Sequence, residues 1–437
     1  MTDGSTPAQV QALTARREPG QPTSRSPSTA PPVTNCNDSG TGSLRDAITN
    51  AADNDIIDMT HLTCSRITLT TGAFLIGVDH LFIVGPGRND LTIDGGGIQG
   101  IGVFDDFGSG RLYLSDMTIE NGWKYETTTD AKGGCIYSAG NLVLGDSSVN
   151  NCFSTAETFP YASVGGAIYT HGSTTLLYSR ITNSTAESND YATGGGIFAY
   201  GGLTSFNSQV SGNRALGTNS WGGGVFARGG SYVAYTEISG NYARNEGGAA
   251  FEDNYGVPSV MRDSTVSGNT AGSKVGGVDS RAKISIYNST IAFNQSYYWT
   301  DGAGDFWAAG LEVNNGGSLL YSSIVSNNTI PGVGTPGDIM DLSGPVAGIG
   351  GADDIIMEFN IGVPASSDHG DPGLLPLGYN GGPTRTQIPT AVEALYGDNV
   401  ANLIWDQRGP GFPRVTDGIT IGAYQPNPDV IFLNGFD

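Results

Sequence analysis

The chain has 437 residues, of which 67 are Gly and only 14% are charged, and it carries 20 basic against 42 acidic side chains, a formal charge of −22. That balance excludes nucleic acid and argues against an anionic membrane surface, because phosphate binding needs a basic stripe that releases counterions. A neutral or cationic glycan and Ca²⁺ remain electrostatically compatible, no cofactor is required, and no apolar run is long enough for a transmembrane helix.

Residues 1–34 are polar and rich in Ser, Thr and Pro, without an apolar signal core. They are expected as a disordered tail, with a secretion signal removed or the start truncated. Residues 35–64 are expected to form an N-terminal cap. Within it Leu44, Ala47, Ile48 and Ala51 share one helical face behind Ser43 as N-cap. A solenoid exposes strand edges and an apolar lumen at its first coil, so this short helix is expected to plug it. The four cysteines suit two disulfides in an oxidising compartment. Of three connectivities the sequential one, Cys36–Cys64 with Cys135–Cys152, is the simplest, and buried free thiols are the alternative.

From 65 to 330 the chain repeats itself: a short alternating strand, an Asn turn, a variable loop, then a Gly-Gly pair opening another strand. Anchors on the β-branched residue closing one strand fall at Ile119, Val149, Ile181, Val210, Ile238, Val266, Ile291 and Ile324. A second ladder of the Gly pairs falls at Gly134, Gly166, Gly195, Gly223, Gly248, Gly277 and Gly310. Both advance by a little under thirty residues, and loops vary where strands do not. Segments such as Leu142-Val143-Leu144 and Ile284-Ser285-Ile286 alternate as strands with one face in a core. The expected fold is an all-β parallel β-helix of about ten coils. Three residues before each anchor stand Asp116, Asp146, Tyr178, Asn207, Tyr235, Asp263, Asn288 and Tyr321. They are read as a stacked side-chain ladder with a turn role.

Beyond 330 the period is lost, and residues 331–437 are expected as an irregular C-terminal cap or anchor-like region. Three stretches resemble known sequences. Cys36-Asn37-Asp38 through Ser43-Leu44-Arg45-Asp46-Ala47-Ile48 looks like a CSLREA-type N-terminal segment. Gly165-Gly166-Ala167-Ile168 and Ser239-Gly240-Asn241 are similar to repeats of polymorphic outer-membrane proteins and autotransporter passengers. Asp371-Pro372, Asn380-Gly381-Gly382-Pro383-Thr384, Asp406-Gln407-Arg408-Gly409 and Ile421-Gly422-Ala423-Tyr424 resemble the choice-of-anchor Q region. The resemblance implies a bacterial, secreted or surface-exposed right-handed β-helix. The closing Ile431-Phe432-Leu433-Asn434-Gly435-Phe436-Asp437 reads equally as a sorting signal or a last strand.

β-Helices host polysaccharide lyases and glycoside hydrolases, but fold analogy alone does not supply a site. The scattered basic residues suggest no lyase constellation. Asp116 and Asp146 occupy one ladder position a coil apart, roughly 4.8 Å, and are the carboxylate pair a hydrolase would use. The Asn and Tyr at the same ladder position favour a turn role for both, so no catalytic residue is assigned. The loops before the Gly pairs carry Trp123, Tyr125, Tyr161, Tyr191, Trp221, Tyr242, Tyr298 and Trp299 with interspersed acids. Recurring at one phase, they form either a stripe that binds an extracellular polysaccharide or cell-surface component, or rings that pack loops onto the barrel. The expected function is adhesin-like glycan or surface binding without catalysis, and the alternative is cleavage of an extended polysaccharide. Metal binding and oligomeric state are left open.

Overall fold

A computed structural model describes residues 30–252, 256–297, 308–331, 342–343, 348–359, 362–416 and 418–426. The termini expected as a tail and as a sorting strand lie, apart from residues 30–34, outside the described residues. What is described is an all-β parallel solenoid. Three long parallel sheets run its length, each coil giving one strand to each. The first sheet has eleven strands, from Asp55–Asp58 to Gly350–Ala352; the second has eleven, from Arg66–Thr68 to Ile355–Ile356; the third has ten, from Phe74–Ile76 to Leu342–Ser343. The stack therefore begins ten residues before position 65 and continues past 330, because Asp55–Asp58 already pairs with His80–Val84.

The core follows from alternation. On the second sheet the middle residue of each strand points inward, stacking Ile67, Ile93, Ile119, Val149, Ile181, Val210, Ile238, Val266, Ile291 and Val325 with at most 1% exposure. β-Branched side chains suit such a column because their restricted χ1 fits the pleated surface. The column corrects the last anchor. Ile291 pairs with Val325 rather than Ile324, so the corner residue three before it is Ser322, φ +48°, not Tyr321.

Two corners explain a recurring set of the buried polar groups. Between the first and second sheets, Asp116, Asp146, Tyr178, Asn207, Tyr235, Asp263, Asn288 and Ser322 are all left-handed, φ +42° to +58°. These positions turn the chain and do not form an amide ladder of their own. The next residue is Ser147, Ser179, Ser208, Thr236, Ser264, Ser289 and Ser323 in successive coils. Each hydroxyl donates to the carbonyl two residues back, and in most coils it accepts an amide from the coil before, as Ser179 does from Ser147 N at 3.2 Å. The amide ladder sits at the following corner instead. Asn213, Asn241, Asn269, Asn294 and Asn328 are linked Nδ2 to Oδ1 at 2.9–3.0 Å. Being fully paired, they bury polar groups without a desolvation penalty. In the earlier coils that position holds Ser184 and Cys152.

The third corner needs glycine. Gly165 has φ +71°, and a Cβ on Gly166 would lie 2.0 Å from the Gly195 carbonyl oxygen, so only hydrogen side chains let adjacent coils close here.

Helix α1 (Leu44–Thr49) is capped by Ser43, whose side chain accepts from Asp46 N, and it buries Leu44, Ala47 and Ile48 against the first coil. Ala51 packs on the core just beyond its end. Arg45 ties the cap down, donating to Asp38 and to the carbonyls of Gly72 and Ala73, with its guanidinium 4.7 Å from the Phe74 ring centre. Disulfides join Cys36 to Cys64 and Cys135 to Cys152.

Residues 370–416 and 418–426 lie along the outer face of the second sheet as an irregular clasp. Arg414, with no exposed area, pairs with Asp263; Arg385 pairs with Glu237; Thr265 donates to Gln407 at 2.5 Å; Ala423 N donates to Thr290 at 3.1 Å. Arg408, bonded to Asp406, is sandwiched between Phe412 and Tyr424 at 4.0 and 4.1 Å. Much of the Asn-Gly-Gly-Pro-Thr, Asp-Gln-Arg-Gly and Ile-Gly-Ala-Tyr sequence thus builds this clasp.

Candidate functional site

In the middle coils the chain makes an excursion between the second and third sheets. It runs out along a seven-stranded fourth sheet, which includes Trp123–Glu126 and Tyr242–Ala243. It returns along a four-stranded fifth sheet, which includes Tyr191–Thr193 and Asn219–Trp221. The two layers face each other through small residues, with Ala186, Ala192, Ala215 and Ala243 fully buried and Ser163 donating to Ser154. They form a thin fin on the solenoid.

The fin carries most of the aromatic stripe, on strands rather than in loops, and divides it. Trp123, Tyr125 and Tyr242 lie on the fourth sheet, Tyr191 and Trp221 on the fifth, and Tyr161 in the turn between the layers; Tyr298 and Trp299 lie outside the described residues. The fourth-sheet rings are half-buried and engaged. Trp123 packs 6.2 Å from Phe153 and donates to Thr155, Tyr125 donates to Glu157, and Tyr242 lies under Arg214. On the fifth sheet Tyr191 and Trp221 stack at 5.9 Å, with Tyr191 43% exposed.

The fifth sheet turns its outer face toward that of the third, making a re-entrant corner. There the register aligns Asp105, Tyr137, Tyr169, Phe198, Phe226, Ala250, Asp279 and Glu312, one per coil. The four rings stack at 5.3–5.6 Å and within 15° of parallel. Val164 and Trp221 pack onto them from the fin. Lys132 lies over Tyr169, and Arg228 over Phe198 and Phe226. Tyr169, Phe198 and Phe226 are closed in, while Tyr137, Tyr200 and Trp221 stand half-exposed at the edge.

Where the rings end, carboxyl groups begin. Glu246 follows Trp221 along the fin, and the Arg281 guanidinium reaches Glu246 at 2.8 Å, Glu252 at 3.0 Å and Asp279 at 3.3 Å. Burial, reinforced by the charge of Asp279, pushes Glu246 well above the usual carboxylate range and Glu312 up to about 8. Burial also raises Asp279. Oε2 of both Glu246 and Glu312 is buried without a hydrogen-bond partner. Among the described residues no group of three or more His, Cys, Asp or Glu has an arrangement able to hold a metal ion.

Asp279 and Glu312 were missed in the sequence for a definable reason. The Gly ladder aligns Gly223 with Gly247, Gly276 and Ala309, not with Gly248, Gly277 and Gly310. Read in the correct register, the residue three after each rung is Tyr137, Tyr169, Phe198, Phe226, Ala250, Asp279 and Glu312. A slip of one residue exchanges the inward and outward faces of a strand. Asp116 and Asp146 lie elsewhere, at the corner between the first and second sheets, with Arg88 Nη2 3.7 Å from Asp146.

Comparison of the chain with protein-family models, curated proteins and solved structures finds no match.

Proposed function

We propose that the protein acts outside the cell by binding an extended polysaccharide along the fin and its re-entrant corner. The observation that carries the reading is the set of exposed or half-exposed rings, Tyr137, Tyr191, Tyr200 and Trp221, that edge the buried ring stack over successive coils. Ring faces with adjacent hydrogen-bonding acids suit the C–H faces and hydroxyls of sugars, and a row repeating at the coil step suits a polymer rather than a single small molecule. The two disulfides accord with an oxidising compartment. Among the described residues no helix is long and apolar enough to cross a membrane.

The carboxyl cluster favours a second reading, hydrolysis of the bound polymer. A carboxyl group whose proton is held by burial, which pushes Glu312 up to about 8, suits the part of a general acid. One experiment separates the two. The purified chain is incubated with neutral and acidic polysaccharides in the presence of Ca²⁺, following retention and new chain ends together. Retention that falls in Trp221→Ala and Tyr191→Ala supports binding at the corner. New chain ends that vanish in Glu312→Gln support hydrolysis. Neither retention nor cleavage on any polymer sinks the glycan reading.

A further inference from the structure

A cavity of about 710 Å³ lies between the second sheet and the clasp. Its floor is the left-handed corner that closes each strand of that sheet. Along the stack this corner reads Asn121, Asn151, Asn183, Gly212, Gly240, Gly268, Phe293 and Asn327, all with φ between +53° and +68°. Asn tolerates that conformation, so glycine is not demanded there by the backbone. Instead the three glycines coincide with the cavity. A Cβ on Gly240 or Gly268 would find no atom closer than 4.0 Å. The side chain is absent where the trough runs, and Phe293, 39% exposed, stands at its end.

The walls are chemically uneven. Leu374, Pro376 and Leu377 of the clasp supply an apolar side. The floor offers the hydroxyls of Ser211 and Ser267, which carry no hydrogen bond among the described residues. Gln387 lines the same space with 1% exposure, and its Oε1 is buried without a partner. A buried amide oxygen left unpaired costs about 1–3 kcal/mol, and a ligand donor removes that cost. Arg385 borders the cavity but is already committed to Glu237 and Ser239, so the trough has no spare charge. The backbone amides of Gly212 and Gly240 are used by the carbonyls of Ser239 and Ser267. There is therefore no open strand edge to pair with a peptide.

We propose that this trough binds a short neutral saccharide. From Gly212 to Gly268 the floor spans two coil spacings, roughly 10 Å, enough for two sugar units. One C–H face would lie against Phe293 and the clasp leucines, with hydroxyl donors meeting Gln387 and the serines. The inference stands on the trough's own chemistry and does not depend on the polymer reading of the corner.

The test uses the full chain with cellotriose, maltotriose, mannotriose and triacetylchitotriose as probes, read by isothermal calorimetry and saturation-transfer NMR. Gly240→Asn places in the trough the residue that the same corner carries in four other coils, so the fold should persist, which thermal melting checks. Gln387→Leu is the second variant. The expected result is saturable binding of at least one trisaccharide, weakened tenfold or more by each variant at a melting temperature no lower than that of the parent chain. Binding lost in Gly240→Asn but kept in Trp221→Ala places the sugar in the trough, and the reverse pattern places it at the corner and overturns the proposal. It is also overturned if no trisaccharide binds, or if a Ser-Gly tripeptide binds more tightly than any of them.

Discussion

Replacing Arg414 by Met should release the clasp while leaving the coils folded. Arg414 has no exposed side-chain area. It pairs with Asp263 and donates to the carbonyls of Gly422 at 2.9 Å, Ala423 at 3.2 Å and Thr420 at 3.3 Å. Removing one partner of a buried ion pair costs about 3–5 kcal/mol. The lower end applies near neutrality, because burial already raises Asp263 to about 7 against the pull of Arg414, and without the guanidinium it can stay protonated. The clasp is one irregular layer whose apolar anchorage is Ile324, Ile355, Ala394 and Ile421 with Leu374, so it should open below the global unfolding energy. A loss of about 3 kcal/mol raises the open population by roughly two orders of magnitude. Hydrogen exchange with mass spectrometry reads this directly. Peptides covering 404–414 and 419–425 should lose protection by about that factor, while Ile83, Leu114 and Leu144 in the first sheet should not change. Clasp protection equal to the parent chain would refute the Arg414 argument, and equal loosening of the inner strands would refute the independence of clasp and coils.

Three further outcomes follow from the interior. Asn241→Ala breaks the amide ladder in its middle, orphaning Asn213 N and Nδ2 and the Val210 carbonyl; it should cost about 2–4 kcal/mol, measured by urea unfolding, and a loss below 1 kcal/mol would mean the ladder is replaceable by water. Burial raises Asp354 to about 8 and Glu312 to about 8. Their unfolded forms ionise near pH 4, so the stability they contribute is fully present below that and is lost as pH rises through 8. Melting temperature should therefore fall between pH 5 and 9, and Asp354→Asn, whose amide oxygen can still accept Ser323 N, should recover about 2–4 °C at pH 8.5 and nothing at pH 4; a profile that rises with pH would contradict the burial argument. The double change Cys135→Ser with Cys152→Ser frees a loop of 17 residues and should cost about 3 kcal/mol, with serine at 152 fitting the position Ser184 holds one coil on; unchanged denaturant midpoints would show that the bridge adds no constraint.

The sequence by itself determined the repeating unit. Alternation such as Leu142-Val143-Leu144 is local, two residues per period, and the corners at Asn121, Gly165 and Asp146 are set by residues that tolerate positive φ, so strands and turns were legible without knowing what faced them. The cap helix was legible for the same reason, whereas the sequential disulfide pairing was only the simplest of three that the sequence left open. Register between coils was not. With loops of unequal length, whether Ile291 lies on Ile324 or Val325 is settled by hydrogen bonds and side-chain volume between coils, and the one-residue slip at Gly247 hid Asp279 and Glu312 from the column that begins with Tyr137. The fin was equally invisible, since the alanines and serines that let its two layers close carry no periodic apolar signal. Only the tertiary structure divided the aromatic residues between two faces. It also joined Arg414 to Asp263, 151 residues apart, because pairing of that kind depends on where a loop returns in space and on nothing in the neighbouring sequence.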